Sequence, residues 1–389
     1  MAFHFIENAL LQLHKQGRYR QTTTVANNVG RLITIDDQAL LNFSSNDYLG
    51  IASNSDVKQA FIDVVNSHGS GSGSASLISG FSSIHAQLQE RIADWLGHPK
   101  ALLFNSGFAA NSGVLHALGQ PQCDYFLDKL SHASLIDGAF LSKAQSKRFL
   151  HNDIERLQTL LSRSTADSKT VVVEGVYSMD GDIAPCTEIT ALCQQHGANV
   201  YVDDAHGIGV LGPQGSGTLN HLGVNKTADV IEVITFGKAL GTQGAALVAS
   251  EDVIDFVTNH SREYIYSTAM PAALAAATLK SIEICQSQHW RREKLQQLTR
   301  DFKQKLDSDI TLTDSDSAII GVLCGSEENA LYCQQALLER GFFVKAIRPP
   351  TVENGKSRLR VTINANHNDN DINELAKHIN EVLGSCLTK

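Results

Sequence analysis

The stretch NVYVDDAHGIGVLG, residues 199–212, decides which kind of fold this chain can have. Its first half reads as a short β-strand, apolar on both faces, ending in Asp203, Asp204 and His206. Its second half satisfies G-x-G-x-x-G, the spacing with which a dinucleotide-binding fold cradles a pyrophosphate. That reading requires a helix to open directly after the glycines, with its N-terminus facing the phosphates. The chain continues instead as PQGSGTLN, with a proline and two further glycines, so the segment is a loop and the dehydrogenase reading falls with it. GSGSG at 69–73 does not fit the spacing either, and no G-x-x-x-x-G-K-[ST] occurs. What remains is a carboxylate and an imidazole at the carboxyl end of a strand, where open α/β sheets bind ligands.

Working outward, TVVVEGVYSMDGD (170–182) and DVIEVITFGKALG (229–241) repeat the pattern of a β-branched run ending in polar and glycine residues. ALLFNSG (101–107) is a shorter run of the same kind. Between such runs lie helical stretches. SSIHAQLQERIADWLG (82–97) places Ile84, Leu88, Ile92 and Trp95 on one face, with Ser82 or Ser83 to cap it and Gly97 to stop it. Strands apolar on both faces and separated by helices make a mostly parallel sheet in an α/β domain. Near residue 280 the character changes to an amphipathic helix, HWRREKLQQLTRDFKQKL, followed by short strands (SAIIGVLCG, GFFVKAI, RLRVTI) and two helices. The expected organisation is an N-terminal segment, 1–44, packed on a small α+β C-terminal domain, 281–389, with the large domain at 45–280.

Composition narrows the function. The chain has 389 residues, 42% hydrophobic and 19% charged, which describes a soluble globular protein of about two domains. A net charge of -9 argues against a nucleic-acid partner. The N-terminus has no secretory pattern and no run is long enough to span a membrane, so a cytoplasmic protein is expected. Seven scattered cysteines without a CxxC pair read as reduced thiols, with no metal site.

The chemistry gathers at strand ends. Lys238, in VITFGKALG (233–241), follows a β-branched run and sits among Phe236, Gly237, Ala239 and Leu240, a costly place for an ammonium. Taken singly, an Asp-x-x-His pair or one lysine is commonplace. Together they meet two needs of pyridoxal phosphate: an amine whose lowered pKa allows a Schiff base, and a carboxylate that keeps a pyridine nitrogen protonated. FNSGFAAN (104–111) offers free N–H groups at a helix start to a phosphate, or is an ordinary βα turn. His132, in LSHASLIDG, can lie on the face of a ring or cap a helix. Ser178, in EGVYSMDGD, offers a hydroxyl at another strand end. Five such elements suited to one cofactor are far less probable as coincidence than any one of them.

LNFSSNDYLG, FNSGFAAN, DKLSHASLIDG, EGVYSMDGD, VDDAHGIGVLG, TFGKALG, YIYSTAMP, and AIRPPTV with SRLRVTINANH follow in order from about residue 20 to the C-terminus. In this the chain resembles the α-oxoamine synthases, pyridoxal 5′-phosphate enzymes of the aspartate-aminotransferase fold (PLP fold type I). The resemblance implies that Lys238 forms the Schiff base and moves the α-proton. It implies that Asp203 pairs with the pyridine nitrogen, that His206 and Ser178 touch the ring hydroxyl, and that His132 stacks on the ring. Gly107, Phe108 and Thr235 are implied at the phosphate, with Ser267 and Thr268 reaching the phosphate of a partner subunit in a homodimer with shared active sites. Arg348 is implied to clamp the amino-acid carboxylate with Thr351 nearby, and Arg20, or else Arg18, to contact the acyl substrate. LNFSSNDYLG and AIRPPTV point to the members that join L-alanine to pimeloyl-CoA or a pimeloyl-carrier protein. Relatives that use glycine with acetyl-CoA or succinyl-CoA are the alternatives, and outside the family an α/β ligand-binding protein. The chain departs from the family pattern at Glu353, Ala239 and Leu240, and lacks a histidine in GSGSASLISG.

Overall fold

The computed structural model describes residues 3–387. Its centre is a seven-stranded sheet: β1 (Lys100–Phe104), β2 (Cys123–Asp128), β3 (Gln145–Phe149), β4 (Ser168–Glu174), β5 (Asn199–Asp203), β6 (Val230–Thr235) and β7 (Ala245–Ala249). The order across the sheet is β1-β7-β6-β5-β4-β2-β3. From β6 to β3 every pairing is parallel, whereas β7 runs antiparallel to both β1 and β6. The central parallel strands β4, β5 and β6 read as β-branched runs because both faces are covered, whereas the edge strand β3 (QSKRF) is largely uncovered. Val172, Tyr201, Ile231 and Val233 pack on one face, and Val171, Val173, Val200, Val202 and Val230 on the other. Each such side chain contributes about 1.5–3 kcal/mol when fully buried, so the sheet fixes its own register.

The same alternation aims the polar strand ends. Glu174, Asp203 and Thr235 have the parity of Val172, Tyr201 and Val233, so all three face the layer containing helix α1 (Gly107–Leu118). Glu174 and Asp203 are register partners at the carboxyl edge, and Asp203 pairs with Val233, two residues short of Thr235. The helix read over 82–97 spans Ser83–Leu96; Ser82 and His85 close a capping box and Gly97 ends it at φ 72°. The G-x-G-x-x-G segment is a loop, and Gly209 and Gly212 hold left-handed backbone at φ 80° and 78°.

C-terminal to helices Ala272–Ser287 and Trp290–Lys305, an antiparallel sheet forms from Ile319–Gly325, Ser357–Thr362 and Lys345–Ile347. Helices Glu327–Glu339 and Asp369–Leu387 pack with it. The N-terminal strands Asn27–Val29, Leu32–Ile35 and Gln38–Asn42 form a second small sheet, joined in parallel by Phe342–Phe343. No helix among the described residues is long and apolar enough to cross a membrane.

Candidate active site

Lys238 leaves β6 on a short turn between Phe236, Ala239 and Leu240, all fully buried. Its own side chain is only partly covered, and its Nζ lies 2.8 Å from His206 Nε2. Burial is the largest influence on the amine; with Arg360 it outweighs Asp203 and Glu174 and brings the pKa from 10.5 down to about 8. His206 is buried behind it and held well below the usual histidine value, by burial first and by Lys238 and Arg360 next. Its Nδ1 lies 2.6 Å from the hydroxyl of Tyr48.

Asp203 is buried at the end of β5 and is held from two sides. The Ala205 N–H donates to Oδ1 at 3.0 Å, and Asn111 Nδ2 donates to Oδ2 at 2.6 Å. Asn111 is fixed in turn, because its Oδ1 accepts from Tyr201 Oη at 2.8 Å. The carboxylate therefore keeps its place through donors alone. Beside it, Glu174 is fully buried, and burial first and Asp203 second push its carboxyl well above the ordinary range. The Ser178 N–H donates to Glu174 Oε2 at 3.2 Å, and Oε1 is buried with no partner.

The phosphate end is built from α1 and the tip of β6. Ser106 caps α1 by accepting from the Ala109 N–H, which leaves the N–H groups of Gly107 and Phe108 at the helix start. A Cβ on residue 107 would stand 2.4 Å from Thr235 Cγ2, so only glycine lets helix and strand approach this closely. Thr235 Oγ1 is buried with no partner. An orphan hydroxyl beside free helix N–H groups is suited to a phosphate oxygen. With the clamped carboxylate and the desolvated amine, these residues fit pyridoxal phosphate at three separate parts of its structure.

Other expected residues lie at the edges. His132 is exposed and caps the helix Ala133–Leu141, its Nδ1 accepting from the Ser134 N–H at 3.2 Å. The ring-facing and capping readings are therefore compatible, since the cap uses one nitrogen only. Ser178 is half-buried, and its carbonyl accepts from Arg360 Nε at 2.8 Å. Ser267 and Thr268 line a small cavity of about 20 Å³ with Asn105, whose Nδ2 donates to the Thr268 carbonyl at 2.7 Å. Arg348 donates to the Gly17 carbonyl at 2.5 Å, Thr351 is exposed, and Arg20 is exposed while Arg18 pairs with Glu327 at 3.0 Å. Glu353, one of the departures, pairs with Lys129 at 2.9 Å and Lys356 at 3.2 Å.

The sequence reading assigned no role to Asn111, Glu174, Tyr48 or Arg360, although each lies within a quoted motif. Arg360 is buried, bonds Asn46 Oδ1 at 3.2 Å, and acts electrostatically on both Lys238 and His206. A strand-end glutamate or a helix asparagine is too common to single out without its neighbours in space.

Known proteins resemble this chain in sequence and fold. The profile of aminotransferase class I and II matches residues 38–379. An 8-amino-7-oxononanoate synthase of Aliivibrio fischeri is 42% identical over 350 residues, covering 90% of this chain and 91% of that protein. A serine palmitoyltransferase of S. paucimobilis, solved with a PLP–myriocin adduct, superposes with a TM-score of 0.93 at 29% identity, covering 99% of each chain. The 8-amino-7-oxononanoate synthase of Francisella tularensis superposes with a TM-score of 0.78 at 27% identity, over 89% of this chain and 98% of that one. With a lysine, a clamped aspartate and a phosphate-ready helix start at the carboxyl edge of such a sheet, this chain belongs to the aminotransferase class I and II family, as an α-oxoamine synthase whose cofactor is pyridoxal 5′-phosphate.

Proposed function

We propose that the chain is an acyltransferase that condenses L-alanine with a pimeloyl thioester to 8-amino-7-oxononanoate, CO2 and free thiol, a step of biotin biosynthesis. The observation that carries this reading is the Lys238 amine, lowered to about 8 and held by His206 opposite the anchored Asp203, in a chain 42% identical to a synthase of that name. The chemistry that pyridoxal phosphate supplies when bound is an electron sink for the pair left on the alanine α-carbon. Lys238 first gives up its own proton, then takes the α-proton of alanine. Asp203, gripped by Asn111 and the Ala205 N–H, would hold the pyridine nitrogen of the cofactor. The α-carbon bonds to the thioester carbonyl as the thiolate leaves; the carboxylate departs as CO2, and Lys238 returns a proton to the same carbon.

The alanine carboxylate has two candidate partners. Arg348 on the loop after Lys345–Ile347 is the expected one, and its guanidinium must leave the Gly17 carbonyl to serve. Arg360 already stands among Ser178, Asn46 and Lys238 and supports a second reading of the clamp. Arg20 is free at the surface to meet the far carboxylate of the pimeloyl chain, whereas Arg18 is occupied by Glu327.

The reading includes a homodimer in which Ser267 and Thr268 complete the partner subunit's phosphate site. Exposed apolar side chains support self-association: Ile78 is 80% exposed, Phe140 85% and Tyr266 72%, and helix Phe5–Lys15 buries none of its residues within the chain. The reaction belongs in the cytoplasm, where thiols stay reduced. A panel of alanine, glycine and serine against pimeloyl, acetyl and succinyl thioesters tests the substrate pair. Alanine with pimeloyl-CoA or its carrier-protein thioester is expected to be fastest. A pocket that admits alanine also admits glycine, at a loss of about 1 kcal/mol for one methyl, so glycine is expected to be under about tenfold worse. If glycine with acetyl-CoA is the better pair, the pimeloyl reading is wrong and the glycine-using relatives replace it.

A further inference from the structure

Tyr48 lies in LNFSSNDYLG, a motif to which the reaction above gives no task. It is buried, its hydroxyl is 2.6 Å from His206 Nδ1, and Asn46 Oδ1 is 3.3 Å away on its other side. His206 Nε2 is 2.8 Å from Lys238 Nζ. These contacts form one chain from Lys238 through His206 and Tyr48 to Asn46, and a count of protons sets its direction. An ammonium only donates, so Nε2 must accept from it. Neutral imidazole then carries its proton on Nδ1, which donates to the Tyr48 oxygen. The Tyr48 proton is left for Asn46 Oδ1, which also accepts from Arg360. While Lys238 is charged, this is the only direction in which every donor finds an acceptor.

We propose that Tyr48 is a positioning residue that accepts the Nδ1 proton of His206 and thereby fixes the tautomer whose Nε2 lone pair holds the Lys238 amine. Neither neighbour titrates where the lysine does. Burial keeps the Tyr48 phenol up at about 12, and His206 stays far below its usual range. On its His206 side Lys238 thus meets a fixed dipole; Asp203, Glu174 and Asp204 face it as acids and Arg360 as a cation, and of these Glu174, raised to about 8, titrates in the same range in wild type and variant alike. Without the tyrosine oxygen, a buried Nδ1–H has no acceptor, and the other tautomer removes that loss by moving the proton to Nε2. An Nε2–H has nothing to offer an ammonium, so the charged form of Lys238 loses its acceptor and gives up its proton at lower pH.

The inference rests on the reading of Lys238 as the amine that receives the cofactor, but its test uses cofactor-free protein. Reductive methylation with formaldehyde and cyanoborohydride, located at Lys238 by mass spectrometry, reports the neutral amine as pH is varied. The wild-type midpoint is expected at about 8. Tyr48→Phe should lower it by about one pH unit, a tenfold change in proton affinity. Nitrogen-15 spectra of the His206 ring, assigned by the signals lost in His206→Gln, should show the proton on Nδ1 in the wild type and on Nε2 in Tyr48→Phe. In a His206→Ala background, Tyr48→Phe should move the midpoint no further. If Tyr48→Phe does not fold, fluorinated tyrosine at position 48 keeps the shape, weakens the acceptor and should shift the midpoint the same way. An unchanged tautomer and midpoint, or an equal shift without His206, overturns the proposal. Failure of Lys238→Ala to abolish a borohydride-reducible cofactor would instead overturn the assignment of Lys238, leaving the tautomer measurement intact.

Discussion

Thr235→Val is expected to act with opposite signs on the empty and the loaded protein. In the structure Thr235 Oγ1 is buried and has no hydrogen-bond partner, while Cγ2 fills the contact with Gly107. Valine preserves that contact and replaces the hydroxyl by a methyl of similar size. An unsatisfied buried hydroxyl costs about 1–3 kcal/mol, so its removal should leave the cofactor-free protein equally or more stable by up to that amount. With a phosphate present the hydroxyl becomes a donor to an anion, a bond worth about 1.5–3 kcal/mol. Its loss should weaken cofactor binding by roughly 10- to 150-fold. Urea unfolding of the cofactor-free variant measures the first effect, and equilibrium dialysis against pyridoxal phosphate the second. A variant that binds the cofactor as tightly as wild type, or that unfolds markedly earlier without it, would refute the reasoning, because the hydroxyl would then have a partner other than the phosphate.

Asp203→Asn should retain the cofactor but lose nearly all α-proton exchange of alanine, measured by deuterium incorporation, since a neutral amide no longer favours a protonated pyridine nitrogen. The rate at which Lys238 captures added cofactor should rise with pH through a midpoint of about 8 and level off above it, as followed by absorbance in stopped flow. Mixing Lys238→Ala protein with a Ser267→Ala, Thr268→Ala protein should restore activity after verified subunit exchange, because one site of each mixed dimer regains every group; no recovery argues against shared sites. Away from the site, burial alone would lower His151, but its bonds to Asp128 at 3.1 Å and Asp182 at 2.9 Å raise it to about 10. That stabilisation is complete below the ordinary histidine value of 6.5 and is lost as pH climbs through about 10, so His151→Gln should cost about 2 kcal/mol at pH 7 and much less at pH 11 in urea titrations.

Of the parallel strands, β4, β5 and β6 were legible because β-branched runs buried on both faces leave no alternation to confuse them, whereas β2 (CDYFLD) and the edge strand β3 (QSKRF) carry no such run and were not read. Lys238, Asp203 and His206 stood out as candidates because they end or follow such runs. β7 was not legible, since AALVA has little of the β-branched signal and nothing local makes it antiparallel to both neighbours. The partners of the legible residues were also hidden. Tyr48 meets His206 across 158 residues of chain, and Asn111 meets Asp203 across 92. Such pairs arise from how whole elements pack, and no short window of sequence contains both members. The arginines show the limit most plainly: the resemblance put forward Arg348, while only the structure shows that Arg360, bonded to Ser178 and Asn46, acts electrostatically on Lys238.

The lysine itself joins the fold to the chemistry. At pH 7 an amine with a pKa of about 8 is roughly one-tenth neutral, against roughly one part in three thousand at 10.5, a gain of about 300-fold in the form that can condense with an aldehyde. Burial alone would push further, but an amine that never protonates could not return a proton to the product carbon. Asp203 and Glu174 pull the value back up, and Arg360 opposes them. Glu174 can lend only part of a charge to this balance, because burial and the adjacent Asp203 favour its protonated form. Asp203, anchored by Asn111 and the Ala205 N–H, is the carboxylate that this arrangement offers to a pyridinium. Two strand-end carboxyls in register thus differ by their surroundings: one takes donors on both oxygens, and the other, with an orphan oxygen, is pushed well above the ordinary carboxyl range.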